Sequence, residues 1–485
     1  MKVLQVCAEF FPLLKTGGLA DVCGALPRAL AARGCDVRVV MPAFPAIRAG
    51  VPDAVPVATA FALPGGATLL RGTLPEGSAC YLIDAPMYAH GKNPYVADDG
   101  ILHADSHRRF ALLGRVAAML AEGLDRGWRP QILHCHDWHA GLAPVYLRAA
   151  SNRLHRWLAG SVFTIHNLAF QGTFPMAVRG ELDLAPAFFG LDGLEFYGQV
   201  SFMKGGLVYA DKLTTVSPTY AREIQTHAQG AGLDGLLRTR THDISGILNG
   251  VDKTVWNPAT DTAINTQYSL AKFTGKAKCK AALQERVGLA REPDALLFGV
   301  VSRLTEQKGI DLLLSAIPDI LQRGGQLVVL GTGDPALENG LKKAALAHPH
   351  AVAVELGFDE ILSHSIIAGS DIVMVPSRFE PCGLTQLYAL AYGSLPLVHC
   401  VGGLADTVVD ASLENLADEL STGFIFEKFD RPSIVAAIRR AFALKQRRPE
   451  WKAVVRRAME QDFGWEASAL RYCDVYRELM GSRQG

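Results

Sequence analysis

The run Val3-Leu4-Gln5-Val6-Cys7-Ala8, followed by Lys15-Thr16-Gly17-Gly18-Leu19-Ala20-Asp21-Val22, decides how the chain is read. The first piece is a short, mostly apolar run, the sign of a buried strand. The second opens on a double glycine and leads into a helical pattern over residues 20–33. A strand that passes through a glycine turn into a helix is the opening unit of a parallel α/β sheet. The alternation continues outward. Residues 37–41, 131–135, 161–165 and 212–216 read as strands, and residues 106–123 as a long helix.

The second half repeats the plan. Residues 296–301 read as a strand, 310–323 as a helix, and 326–330 as a strand running into Gly331-Thr332-Gly333-Asp334. Residues 351–356, 371–376 and 395–399 supply further strands. Gly-Gly-Leu-Ala-Asp recurs at 402–406, again where a strand gives way to a helix. Five common residues can coincide by chance, but the shared setting suggests a Gly-rich helix start in each half. The expected organisation is a Rossmann-like domain over residues 1–244, a second over 245–460, and a terminal helical segment over 461–485 that crosses back to the first. The fold class is α/β, with two doubly wound domains facing each other across a deep cleft. Ligands are then expected beyond the carboxyl ends of the strands.

Composition narrows the function. The chain has 485 residues, too many for one ordinary core. Its 48 basic and 48 acidic residues balance, which argues against a nucleic-acid partner. The nine cysteines are scattered, odd in number and lack a Cys-x-x-Cys pair, so a reducing compartment is expected. No apolar run approaches the ~18 residues of a membrane span, and no signal-peptide pattern precedes the first strand. A cytoplasmic protein without a membrane partner is the expectation.

Four segments carry chemistry. Lys15 and the Gly17-Gly18 turn combine a cation with approachable backbone N–H groups, as a phosphate requires, although double-glycine turns with a solvated lysine are common. Arg303 and Lys308, in Ser302-Arg303-Leu304-Thr305-Glu306-Gln307-Lys308-Gly309, suit a diphosphate; two surface cations paired with Glu306 or Asp311 fit the spacing equally. Glu380 lies in Ser377-Arg378-Phe379-Glu380-Pro381-Cys382-Gly383-Leu384-Thr385, between a strand and a helix. A carboxylate there can bond sugar hydroxyls or stabilise a cation-like transition state, and Thr385 with the first helical N–H groups can meet a phosphate; a helix-terminal glutamate is the plainer alternative. His134-Cys135-His136-Asp137-Trp138-His139 tempts a metal reading. Alternate residues of an extended run point to opposite sides, however, and no second ligand cluster stands out, so no metal is expected. Asp137 and His166 are read instead as polar groups facing a sugar.

Together these segments resemble the bacterial glycogen synthases and plant starch synthases, retaining glycosyltransferases of GT-B fold that use ADP-glucose. The resemblance rests on Lys-Thr-Gly-Gly-Leu-Ala-Asp-Val at 15–22, His-Asp-Trp-His at 136–139 and Thr-Ile-His-Asn at 164–167. It continues through Thr-Val-Ser-Pro-Thr-Tyr-Ala-Arg-Glu-Ile at 215–224, Ile-Leu-Asn-Gly-Val-Asp at 247–252, Ser-Arg-Leu-Thr-Glu-Gln-Lys-Gly at 302–309 and Glu-Pro-Cys-Gly-Leu-Thr-Gln-Leu-Tyr at 380–388. It implies transfer of glucose from ADP-glucose to the non-reducing 4-hydroxyl of an α-1,4-glucan, with retention and release of ADP. No cofactor or metal is implied, and the chain has no Asp-x-Asp triplet. The implied catalytic group is Glu380, Arg303, Lys308, His166 and Asp137. Donor contacts fall to Lys15, Gly17, Gly18, Asp21, Asn249, Phe358, Cys382, Gly383, Leu384 and Thr385. Tyr95, in the loop 88–106, and His139 are assigned to the acceptor.

Departures from the family pattern are Phe358 and Phe170 where tyrosine is frequent, Ile367 in a third such position, and His399-Cys400 where an arginine is expected. Tyr388 stands where related enzymes carry a second glutamate, which favours the glycogen/starch synthase branch. The rival readings are the same reaction with UDP-glucose and an inactive nucleotide-sugar or glucan-binding protein. A glucan phosphorylase would need a pyridoxal phosphate lysine motif, which is not found.

Overall fold

In the first of two structural units, seven parallel strands form the body of a nine-stranded sheet. The order runs Ile244–Gly246, Lys212–Thr215, Gly160–Ile165, Ile132–His136, Lys2–Val6, Asp36–Pro42, Ala79–Asp84, Thr68–Thr73 and Val55–Pro56, the last two antiparallel. These assignments come from a computed structural model, which describes residues 1–89, 93–97 and 100–481. The central strands are buried on both faces, which is why they read as continuous apolar runs rather than alternating ones. The strands at 55–84 escaped the sequence reading. They are short, one carries proline, and Thr68–Thr73 runs against the sheet.

The second unit has six parallel strands in the order Val352–Leu356, Gln326–Gly331, Leu297–Val301, Ile372–Val375, Leu395–His399 and Phe424–Phe426. Numbered along this unit, that is 3-2-1-4-5-6, the dinucleotide-binding arrangement. Trp256 anchors its core. The indole lies between His364 and Tyr388, with ring centroids 3.8 and 3.9 Å away and planes tilted by 9° and 5°. The aromatic ring of Tyr388 is therefore core packing at the position where related enzymes carry a carboxylate.

The units comprise Met1–Gly250 with Trp465–Gly485, and Val251–Gly464. The crossings thus lie at 250/251 and 464/465 rather than at 244/245 and 460/461. The sequence boundary fell short because the strand Ile244–Gly246 pairs with Lys212–Thr215 and belongs to the first sheet. Asn249, placed in the second domain from sequence, sits in the first unit. The last helix, Trp465–Gly481, packs on the first unit. Trp465, Tyr472, Tyr476 and Leu479 join Val3, Val22, Leu26 and Ile132 in one buried cluster. Each such large side chain contributes about 1.5–3 kcal/mol by leaving water. The Gly250 backbone needs its missing Cβ, which would lie 2.6 Å from the Cα of Trp465.

Candidate active site

Each sheet has one place where successive crossovers leave on opposite sides, and a ligand crevice forms beyond the strand ends there. In the first unit this place lies between Lys2–Val6 and Ile132–His136; in the second, between Leu297–Val301 and Ile372–Val375. Both strand ends carry sequence-predicted residues.

In the first unit, Asp137 immediately follows its strand and adopts φ 58°, ψ −177°, a conformation costing about 1–3 kcal/mol for a residue with a Cβ. Its surroundings hold it there. The Asp137 N–H donates to the Thr164 carbonyl at 2.9 Å, and its Oδ1 accepts from the His166 and Asn167 N–H groups at 3.1 and 3.4 Å. The carboxylate thereby ties two strand ends together. Burial raises its pKa to about 7, against the lowering effect of those two N–H groups. Glu9, also buried, accepts from the Thr16 N–H at 2.6 Å, the Thr16 hydroxyl at 2.7 Å and the Tyr95 hydroxyl at 2.5 Å. This carboxylate fixes the glycine turn and Tyr95 together. Residues 90–92 and 98–99 of the 88–106 loop lie outside the described residues. The Tyr95 ring stacks on His139 with centroids 4.4 Å apart.

The histidines of the 134–139 run do not gather around a vacancy for an ion. His134, His136 and His166 bond to one another's neighbours and, in one case, directly: His136 Nδ1 lies 3.0 Å from His166 Nε2. Burial holds His134 and His166 down to about 3, and pushes His136 and His139 well below the usual imidazole range. All four rings are neutral at pH 7.

The Gly17 turn is extended, φ −165°, and caps the helix Gly18–Ala31 without a side-chain bond to its first N–H groups. A Cβ at Gly17 would meet nothing within 4 Å. Lys15 Nζ donates to Asp21 Oδ1 at 3.0 Å, so the cation is held beside this open helix start. Asn249 is buried, and its Oδ1 has no hydrogen-bond partner among the described residues.

In the second unit, Lys308 Nζ donates to Glu380 Oε2 at 2.6 Å, and the Ser377 hydroxyl donates to the same oxygen at 2.8 Å. Lys308, Ser377, Glu380, Gly383, Leu384 and Thr385 line one recess of about 50 Å³, just beyond the two switch-point strands. Gly383 turns with φ +69°, and Thr385 begins the helix Thr385–Ala391. Cys382 is buried behind this turn. The structure therefore brings Lys308, Glu380 and Thr385 together. Arg303 is not among the residues that line this recess; its side chain is exposed, with Nη2 3.4 Å from the Gln307 amide oxygen. Neither does Lys308 pair with Asp311, whose carboxylate meets Arg378 at 2.5 Å. Phe358 is 76% exposed, a ring presented to solvent rather than buried in the recess.

Comparison with known proteins decides the family. The chain is 54% identical over 485 residues, 99% of each sequence, to the glycogen synthase of Francisella tularensis subsp. novicida strain U112. It is equally similar to that of subsp. holarctica strain LVS. The chain belongs to the glycogen and starch synthase family. Residues 2–239 match the starch synthase catalytic domain and residues 283–457 the glycosyl transferases group 1 family. The catalytic domain of Arabidopsis thaliana starch synthase IV, solved with ADP and acarbose, superimposes with TM-score 0.89 at 32% identity, covering 99% of both chains. Sucrose-phosphate synthase from Thermosynechococcus elongatus shares the fold, with TM-score 0.59 at 19% identity over 99% of both chains. The fold is GT-B, and the chain is a glycosyltransferase of this family. Among the described residues no helix is long and apolar enough to cross a membrane.

Several family-site neighbours were not legible beforehand. Glu9 hides in an apolar run, Ala8-Glu9-Phe10, and its burial at 2% exposure is the signal that an isolated acid there must be bonded. His399, the departure from an expected arginine, places Nδ1 2.8 Å from the Ser377 carbonyl. It thereby holds the turn whose hydroxyl holds Glu380.

Proposed function

We propose that the chain transfers glucose from ADP-glucose to the non-reducing 4-hydroxyl of an α-1,4-glucan, with retention, as an ADP-glucose:α-1,4-glucan 4-α-glucosyltransferase of the cytoplasm. The observation that carries the proposal is the Lys308–Glu380–Ser377 constellation beside the Thr385 helix start, at the switch point of the second sheet. The starch synthase IV structure, which holds ADP and acarbose, supports a nucleotide and a glucan as substrates.

The chemistry needs charge stabilised on a departing diphosphate. Lys308 supplies a fixed ammonium, Arg303 a planar guanidinium, and the helix start at Thr385 its unbonded N–H groups, without a metal ion or other cofactor. As the C1–O bond to the diphosphate breaks, the acceptor 4-hydroxyl oxygen bonds to C1 on the same face. Its proton passes to the leaving phosphate oxygen. Glu380 stabilises the cation-like sugar and is not a nucleophile. In the first unit, Asp137 and His166 meet sugar hydroxyls, the Gly17-Gly18 turn with Lys15 meets the donor, and Tyr95 with His139 meets the glucan.

The test is incorporation of labelled glucose into glycogen from ADP-glucose and UDP-glucose in parallel, with chelator, followed by identification of the anomer formed. Incorporation from ADP-glucose as an α-linkage, undiminished by chelator, is expected. Preference for UDP-glucose would overturn the donor assignment. A β-linked product would overturn retention, and loss of activity in chelator the metal-free phosphate grip. No incorporation from either donor by folded protein would leave a binding protein.

A further inference from the structure

The turn that lines the Lys308 recess is held from behind by one side-chain amide. Gln386 is fully buried and is not among the lining residues, whereas Gly383, Leu384 and Thr385 are. Its Nε2 lies 3.0 Å from the Cys382 carbonyl oxygen, 2.9 Å from that of Gly383 and 3.2 Å from Thr407 Oγ1. Carbonyl oxygens only accept, so the amide must face both of them with its nitrogen. The reversed amide would set oxygen against oxygen at both contacts. The Thr407 hydroxyl donates to the Gly403 carbonyl at 2.6 Å, which leaves its lone pairs for the amide. Gly383 makes room for this arrangement: a Cβ there would lie 2.3 Å from Gln386 Oε1.

Peptide geometry turns this clamp into a direction. In a trans peptide the N–H points opposite to the C=O. The Cys382 carbonyl shares its peptide with the Gly383 N–H, and the Gly383 carbonyl shares its peptide with the Leu384 N–H. Drawing both oxygens toward Gln386 therefore turns both N–H groups away from it. The backbone agrees. Gly383 is left-handed at φ +69° and Leu384 right-handed at φ −110°, ψ −31°, an alternation that gathers successive N–H groups on one side of the chain. In a continued helix the donors to these two carbonyls would be the Gln386 and Leu387 N–H groups, four residues on. The first such bond is instead Tyr388 N–H to the Leu384 carbonyl, at 3.0 Å. The Gln386 side chain occupies the two carbonyls through which the helix would otherwise extend back across the turn.

We propose that Gln386 is a positioning residue, which holds the 382–384 peptides so that the Gly383 and Leu384 N–H groups face the recess beside Lys308 and meet a phosphate of the donor. This rests on the reading of that recess as the diphosphate site. Gln386 touches no substrate and acts only through the two peptides, with Thr407 steadying its amide. Donors fixed in place before the ligand arrives add to the binding of phosphate oxygens and add nothing for an uncharged nucleoside.

The test is calorimetric titration of the full chain with ADP and with adenosine, alongside glucosyl transfer from ADP-glucose. Gln386→Met removes both N–H groups and keeps a side chain of similar length. It is expected to raise the ADP Kd and the ADP-glucose KM about tenfold, with the adenosine Kd and the glucan KM changed by less than about twofold. Thr407→Val is expected to weaken ADP binding about threefold with the same selectivity, and Thr407→Ser, which keeps the hydroxyl, to match wild type. Wild-type ADP affinity in Gln386→Met, or equal losses for ADP and adenosine, would overturn the proposal. Should Gln386→Met not fold, wild-type ADP affinity in Thr407→Val would overturn it in the same way. Wild-type protein that binds neither ADP nor ADP-glucose would instead overturn the reading of the recess beneath it.

Discussion

Gly-Gly-Leu-Ala-Asp stands at 17–21 and again at 402–406, each time where a strand gives way to a helix, yet the two copies use their glycines differently. At Gly17 an added Cβ would meet nothing within 4 Å, and the helix start is open. At Gly402 it would fall 1.9 Å from the Glu380 carbonyl oxygen, and at Gly403 2.1 Å from that of Cys382. Gly402 also has φ +44°, and the Gly403 N–H bonds the Glu380 and Pro381 carbonyls at 3.2 and 3.1 Å. The first turn leaves room for something that is not protein. The second is the floor under the turn that carries Glu380. One pentapeptide thus serves access in one unit and close backbone packing in the other.

The largest effect that can break this comparison is at the second turn. Gly402→Ala and Gly403→Ala force carbonyl oxygens to move, and each is expected to cost about 3 kcal/mol or more of stability, read by denaturant unfolding. The same substitutions displace Glu380 and should abolish most glucosyl transfer. Wild-type stability and activity in both would show that the turn is not a floor.

Asp137 sharpens the contrast between the two crevices, because the first holds its acid by burial and backbone N–H groups and the second by a lysine. A carboxyl group raised to about 7 in the fold binds its proton where the unfolded chain has lost it. Its contribution to stability is full below the unfolded value near 3.8 and is lost as pH rises through about 7. Three pH units correspond to at most about 4 kcal/mol. Asp137→Asn keeps the Oδ1 acceptor for the His166 N–H and nearly the same side-chain shape, without the titratable group. It should flatten stability between pH 4 and 7 relative to wild type; an unchanged slope would contradict the assignment of that titration to Asp137.

Lys308→Ala removes the partner of Glu380 and is expected to lower kcat by about 10²–10³-fold, the effect of losing one preorganised charge donor. Gly17→Ala is the smallest. Loss of a glycine cap should cost about 1 kcal/mol or less of stability, with a several-fold higher donor KM. If Gly17→Ala destabilised the protein as much as Gly402→Ala, the two turns would be equivalent after all.

The legible part of the molecule was the part governed by local pattern. The strands at 132–136, 160–165 and 297–301 announced themselves as apolar runs, and the motifs after the strands put Asp137, His166, Lys308 and Glu380 beyond strand ends. Contacts between residues far apart in sequence were not legible. Gln5 and Tyr476 are 471 positions apart, and each reads as core or helix alone. Glu9 gains meaning only when Tyr95 and Thr16 arrive beside it. Arg303 was read at a strand end from the sequence, but its contact with the Gln307 amide oxygen was not. Local pattern places a residue at a strand end; only the fold decides which way its side chain goes.

The most direct measurement is ADP-glucose-dependent incorporation of labelled glucose into glycogen by the full chain and by Lys308→Ala, at equal folded concentration. The account predicts robust incorporation by the first and a loss of at least a hundredfold in kcat for the second. Equal incorporation by both would show that the Lys308–Glu380 pair is not where the reaction is carried.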